Sequence, residues 1–162
     1  MMGVGKSTIG KSLADRLSFS FVDIDKLIET KEGSSINLIF RNKSENYFRR
    51  LENIVSLEEL KKSDSVISLG GGAFLNNAIR RAVKYSSVSF WLDVDINELT
   101  KRLNKTKRRP LLAGKNLKDN INKIYLERKK TYSEADYRIK CNFLDPETIV
   151  NKILKIYEKS GN

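Results

Sequence analysis

Apolar residues recur along this chain in two rhythms, and the alternation between them predicts the architecture. Ile9, Leu13 and Leu17 fall at i, i+4 and i+8, with Gly10 and Ala14 as small neighbours, which predicts an amphipathic helix from Lys6 to Leu17. The run from Phe19 to Asp25 is β-rich and ends on acids, so it predicts a short buried strand with Asp23 and Asp25 on one face. Helical spacing then returns. Ser35 is the expected cap ahead of Ile36, Ile39 and Phe40, and Ser44 ahead of Tyr47, Phe48, Leu51 and Val55. Ser65–Leu69, Val88–Leu92 and Tyr137–Cys141 predict three further strands. Helices are expected over Leu75–Tyr85, from an Asp95 cap through Ile96, Leu99 and Leu103, and over Leu117–Ala135. A last helix opens on Asp145 as N-cap and Pro146 at the first helical position. Strands that alternate with helices predict an α/β fold of three layers, α/β/α, around a parallel sheet with right-handed crossovers.

Composition narrows the chemistry. A chain of 162 residues fits one domain with a real core, and neither repeat nor linker divides it. It carries no histidine, so imidazole catalysis and histidine metal ligation are excluded, and acid–base work falls to carboxylates and lysines. The lone Cys141 excludes an internal disulfide, and Lys6 follows Met1-Met2-Gly3 too closely for an apolar leader, so a reducing cytoplasm is the expected compartment and no membrane is implied. The net charge of +11 suits nucleic acid or small anions alike. Lysines and arginines are scattered rather than striped, with no interleaved aromatic recognition motif. That favours a small anionic ligand over nucleic acid.

The candidate chemistry sits first at the amino end. Gly3-Val4-Gly5-Lys6-Ser7-Thr8 reads as the phosphate-binding loop G-x-x-x-x-G-K-S/T without its first glycine. Gly3 and Gly5 let backbone N–H groups approach phosphates, Lys6 neutralises charge on the transferred group, and Ser7 is the residue type that ligates Mg²⁺. Asp23 and Asp25 would lie at the carboxyl edge of the sheet, where open α/β folds bind ligands. Asp23 is the candidate for the metal, through water, and Asp25 for the acceptor. Gly70-Gly71-Gly72 after a buried strand costs chain entropy and points to a close backbone approach. Arg49 and Arg128 each have two readings, anion contacts or ordinary pairing along their helices.

Taken in order, six motifs resemble the shikimate kinase family across essentially the whole chain. They are the phosphate loop, Asp23-x-Asp25, Phe48-Arg49-Arg50-Leu51-Glu52, Gly70-Gly71-Gly72, Arg109-Pro110-Leu111-Leu112-Ala113-Gly114, and Arg128 four residues before Tyr132. The resemblance implies ATP-dependent phosphorylation of the 3-hydroxyl of shikimate, a step toward aromatic amino acids, with ATP as co-substrate and Mg²⁺ as cofactor. It implies nucleotide contacts from Gly3, Gly5, Lys6, Ser7, Thr8, Ile9, Gly10, Arg102 and Arg109, shikimate contacts from Asp25, Arg49, Gly71 and Arg128, and metal contacts from Ser7 and, through water, Asp23. Lys6, Asp25 and Arg109 take the catalytic roles. Residues 142–146 match the adenine-side loop, with Leu144 where many members are polar. The family's habit implies a monomer, an acceptor region at about residues 25–52 and a lid at about 105–118.

The family's sheet has five strands in the order 2-3-1-4-5, whereas the pattern here supplies four. The position of the first, central strand is unfilled, which predicts a reading frame that starts earlier, with a short apolar strand ending in glycine. It also predicts a loss of several kcal/mol against a net stability of about 5–15 kcal/mol. Alternatives are a kinase of the same fold for another small acceptor, such as gluconate or a nucleoside monophosphate, and an inactive truncated form.

Overall fold

The computed structural model describes residues 1–104 and 117–161. In chain order the elements are α1 (Lys6–Leu17), β1 (Ser20–Asp23), α2 (Ile24–Glu32), α3 (Ile36–Asn42), α4 (Glu45–Glu59) and β2 (Ser65–Ser68). A 3-10 turn (Ala73–Leu75) follows, then α5 (Asn77–Ser86), β3 (Phe90–Asp93), α6 (Ile96–Asn104), α7 (Leu117–Tyr132), β4 (Tyr137–Lys140) and α8 (Pro146–Lys159). Each boundary has a local cause. Ser35, Ser44 and Asp145 accept from backbone N–H groups three residues on, as expected. Asn76 does the same for Ala78 and Ile79, so α5 starts two residues later than the apolar spacing predicts.

The strands form two parallel pairs, β1 with β2 and β3 with β4. Ser20 pairs with Ser65 and Asp23 with Ser68; Phe90 pairs with Tyr137 and Asp93 with Lys140. Side chains alternate across the pairs. Val66 packs into the cluster built by Ile9, Leu13, Trp91, Ile139 and Ile153, while its neighbour Ile67 packs into the cluster of Ile24, Ile28, Phe48 and Val55. Helices α1 and α8 lie together on one side and α2 and α4 on the other, which gives the expected three layers.

Two expectations need adjusting. The first strand ends at Asp23, whose carboxylate accepts from the Lys26 N–H and caps α2, so Asp25 stands in the first turn of a helix rather than on a strand. A carboxylate that can satisfy an orphan helix N–H turns the chain two residues earlier than β propensity alone suggests. The helix over Leu117–Ala135 stops at Tyr132, where the chain turns into β4.

Candidate active site

The phosphate loop gains its shape from two glycines. Gly3 and Gly5 have φ of 73° and 93°, the left-handed region, and a Cβ on Gly3 would lie 2.8 Å from Leu103. Gly5 is the N-cap of α1 and lends it no side-chain acceptor, so the first N–H groups of a twelve-residue helix stand ready for an anion. Lys6 Nζ donates to the Met1 carbonyl at 3.0 Å, which folds the side chain back over the loop. Ser7 and Thr8 are exposed. The Ile9 side chain and Gly10 face the core instead; a Cβ on Gly10 would meet the Phe21 ring at 2.7 Å.

The Ser7 hydroxyl donates to Asp23 Oδ2 at 2.5 Å, while the other oxygen of Asp23 caps α2. Two hard oxygen donors side by side at the phosphate loop fit Mg²⁺, which takes one or two protein ligands and keeps water and phosphate for the rest. Among the described residues there is no group of three or more acidic, cysteine or histidine side chains that would hold a metal by themselves.

Across the loop, the three glycines form the floor of a second site. None of them has positive φ, so the reason for glycine is room. A Cβ on Gly70 would lie 2.5 Å from Glu52 Oε1 and 2.6 Å from Asp25 Oδ1, and one on Gly72 would run into the Arg49 guanidinium. A Cβ on Gly71 would approach Arg128 Nη1 at 3.4 Å and Met2 N at 3.8 Å. The floor therefore touches both the acceptor-side charges and the start of the phosphate loop.

The charges above it are interlocked. Arg49 donates to Glu52 at 2.7 Å and pairs with Glu45 at 3.1 Å, so the helix-pairing reading of Arg49 holds, with the guanidinium also aimed at the floor. Glu52 is 3% exposed, and burial pushes its carboxyl above the usual carboxylate range in spite of Arg49. Arg128 and Tyr132 both donate to the Gly71 carbonyl, at 2.7 and 2.5 Å, so any acceptor held by Gly71 meets its N–H. Burial raises the Tyr132 hydroxyl's pKa, which keeps it a donor.

From the sequence, Glu52 is only a possible pairing partner of Arg49 along its helix; its burial is not legible there. Its signal was an acid at i+3 from Arg49 among the apolar positions of α4. Asp93 was missed altogether. It ends β3 as Asp23 ends β1, is 8% exposed, and accepts from Arg138 at 2.6 Å and Tyr125 at 3.2 Å. In the region where the resemblance implies adenine, Arg102 pairs with Glu98 at 3.0 Å, and Asn142 accepts from the Asp95 N–H at 2.7 Å, tying the 142–146 loop to α6. Arg109, its motif and residues 105–116 of the expected lid lie outside the described residues.

A sequence profile described as shikimate kinase matches residues 2–158. A shikimate kinase of Persephonella marina is 43% identical over 153 residues, 94% of this chain and 92% of that protein. The structure of a shikimate kinase from Acinetobacter baumannii in complex with shikimate superposes with a TM-score of 0.92 at 31% identity, covering 98% of this chain and 89% of that one. Shikimate kinase from Aquifex aeolicus gives a TM-score of 0.84 at 34% identity, covering 99% and 94%.

Proposed function

The chain belongs to the shikimate kinase family, and we propose that it transfers the γ-phosphoryl group of ATP to the 3-hydroxyl of shikimate, giving shikimate 3-phosphate and ADP. The observation that carries this reading is the close approach of the Gly70–Gly72 floor, with Asp25, Arg49 and Arg128 around it, to the start of the phosphate loop, where a Cβ on Gly71 would lie 3.8 Å from Met2 N. A small acceptor on that floor lies against the γ-phosphate position, and little else is needed, because phosphoryl transfer is catalysed by positioning and charge.

Each residue then has a task. The N–H groups after Gly3 and Gly5 and the free end of α1 receive the β- and γ-phosphates. Lys6 leaves the Met1 carbonyl to neutralise the transferred group. Mg²⁺ would be held by Ser7 and, through water, by Asp23, and would supply neutralisation of the phosphate charge. Arg49 and Arg128 receive the acceptor's carboxylate, with Arg49 pre-aligned by Glu45 and Glu52. Asp25 receives the attacking hydroxyl, orients its lone pair toward phosphorus and takes the proton. Gly71 offers its N–H. Thr8 stands beside the phosphates, and Arg102 and Arg109 serve the nucleotide, Arg109 and most of the expected 105–118 lid lying outside the described residues. Ile9 and Gly10 assist by holding the loop on the core.

We also infer one catalytic domain over residues 1–162, acting as a cytoplasmic monomer without nucleic-acid partners; no helix among the described residues is long and apolar enough to cross a membrane. The test is ADP release by the purified chain with Mg·ATP, with and without shikimate. Shikimate-dependent release supports the reading; release that responds to gluconate or a nucleoside monophosphate instead overturns the acceptor.

A further inference from the structure

Helix α7 carries Arg128, yet little apolar surface holds that helix: Ile121 and Tyr132 are its buried residues. A few side-chain ties therefore decide where Arg128 points, and they converge on the carboxyl end of β3. Trp91 and Asp93 stand on one face of β3, and the parallel register sets Arg138 of β4 beside Trp91 on that face. The Arg138 guanidinium lies 4.8 Å over the Trp91 ring. Its Nε and Nη2 both donate to Asp93 Oδ2, at 2.9 and 2.6 Å, so Oδ1 is left to accept from the Tyr125 hydroxyl of α7 at 3.2 Å. Tyr125 and Tyr132 are two turns apart on one stripe of α7, and both rings lean on Trp91, with centroids 6.4 and 6.0 Å away. Arg128 lies between them along the helix and, with Tyr132, donates to the Gly71 carbonyl. Two polar ties thus fasten α7, one at Asp93 and one at the glycine floor.

We propose that Asp93, itself set by Arg138, is a positioning residue for the acceptor: through Tyr125 it fixes the roll of α7 about its axis, and so the reach of Arg128 over Gly71. This rests on the reading of Arg128 as a receiver of the acceptor's carboxylate. A ring that leans on another ring can slide at little cost, whereas a hydroxyl bonded to a buried carboxylate loses a charge-assisted bond when it moves. Asp93 is buried at the end of a paired strand, so it is a fixed point against which a helix can be set. Burial, then the Asp93 charge, raise the pKa of the Tyr125 hydroxyl, which stays a donor at neutral pH. Arg128 needs such a setting because its guanidinium has two tasks. One N–H is spent on the Gly71 carbonyl, and the others can meet a carboxylate only if the fork keeps its plane.

The test is a pair of double-mutant cycles read by calorimetric titration of shikimate and, separately, of Mg·ADP. Tyr125→Phe keeps the ring on Trp91 and leaves Asp93 paired with Arg138, so the protein is expected to stay folded. It should weaken shikimate binding about 5- to 10-fold, the worth of one hydrogen bond to a charged group, and leave the Kd for Mg·ADP within about twofold. Added to Arg128→Ala, the same change should cost less than about twofold, because there is no longer a guanidinium to aim. Asp93→Ala should reproduce the loss, and Asp93→Ala with Tyr125→Phe should lose no more than either alone. Equal weakening of both ligands marks a merely structural role and overturns the proposal, as do losses that add in full in either cycle. A parent that does not bind shikimate overturns the acceptor, and this assignment with it. A parent that binds shikimate and a Tyr125→Phe variant that binds it equally well overturn the positioning role alone.

Discussion

Gly70→Ala adds a single methyl group at the point where the site is tightest. The new carbon would stand 2.5 Å from Glu52 Oε1 and 2.6 Å from Asp25 Oδ1, whereas a carbon–oxygen contact settles at about 3.3 Å, so the oxygens must withdraw by about 0.7–0.8 Å or the floor must drop. Glu52 is 3% exposed and tied to Arg49, which leaves it little room to retreat. Overpacking of this kind costs about 1–3 kcal/mol of stability, and a misplacement approaching 1 Å at a reacting group costs about 100-fold in rate. Because Gly70 does not have positive φ, no backbone strain adds to this. The expected result is a 10- to 100-fold loss of kcat/KM for shikimate, as an order of magnitude, with the Kd for Mg·ATP unchanged. Urea denaturation should show a drop of about 1–3 kcal/mol. Gly71→Ala is the stability control: its Cβ meets Arg128 at 3.4 Å, an ordinary contact, so its unfolding free energy should stay within about 0.5 kcal/mol of the parent. A Gly70→Ala protein with parental stability and parental kcat/KM would refute the tight-floor argument.

Asp25→Asn keeps the shape and removes the proton acceptor, so kcat should fall by about 100-fold or more in steady-state assays while ATP binding by fluorescence titration holds. Glu52→Gln tests the buried carboxyl through pH. A folded-state pKa raised above the ordinary 4.5 carries stability that is full below that value and is lost as pH rises through the folded one, so the parent's unfolding free energy should decline upward from about pH 4.5. The glutamine variant should lack that decline, and parallel curves from urea melts would remove Glu52 as its source. Asp145→Ala removes the acceptor for the Thr148 N–H and hydroxyl at the start of α8 and should lower stability by about 1 kcal/mol, read by the same melts.

Much of the site was legible because its parts are local. Gly5-Lys6-Ser7 is contiguous, and loop shape and helix dipole act within a few residues, so spacing alone predicted a glycine turn running into a helix N-terminus. The same holds for the Ser35, Ser44 and Asp145 caps, each a bond spanning three residues. Only the folded chain reveals why three glycines follow β2. They need no special dihedral angles; Gly70 and Gly72 need the absence of a Cβ beneath Asp25, Glu52 and Arg49, which arrive from two helices. The roles of Glu52 and Asp93 were illegible for the same reason. A lone acid among apolar positions looks alike whether it meets water or a buried arginine, and only packing decides which. The pairing of β1 with β2 and β3 with β4 likewise belongs to tertiary structure. Periodicity along one strand states which faces are apolar, but it carries no information about which backbone edge finds a partner.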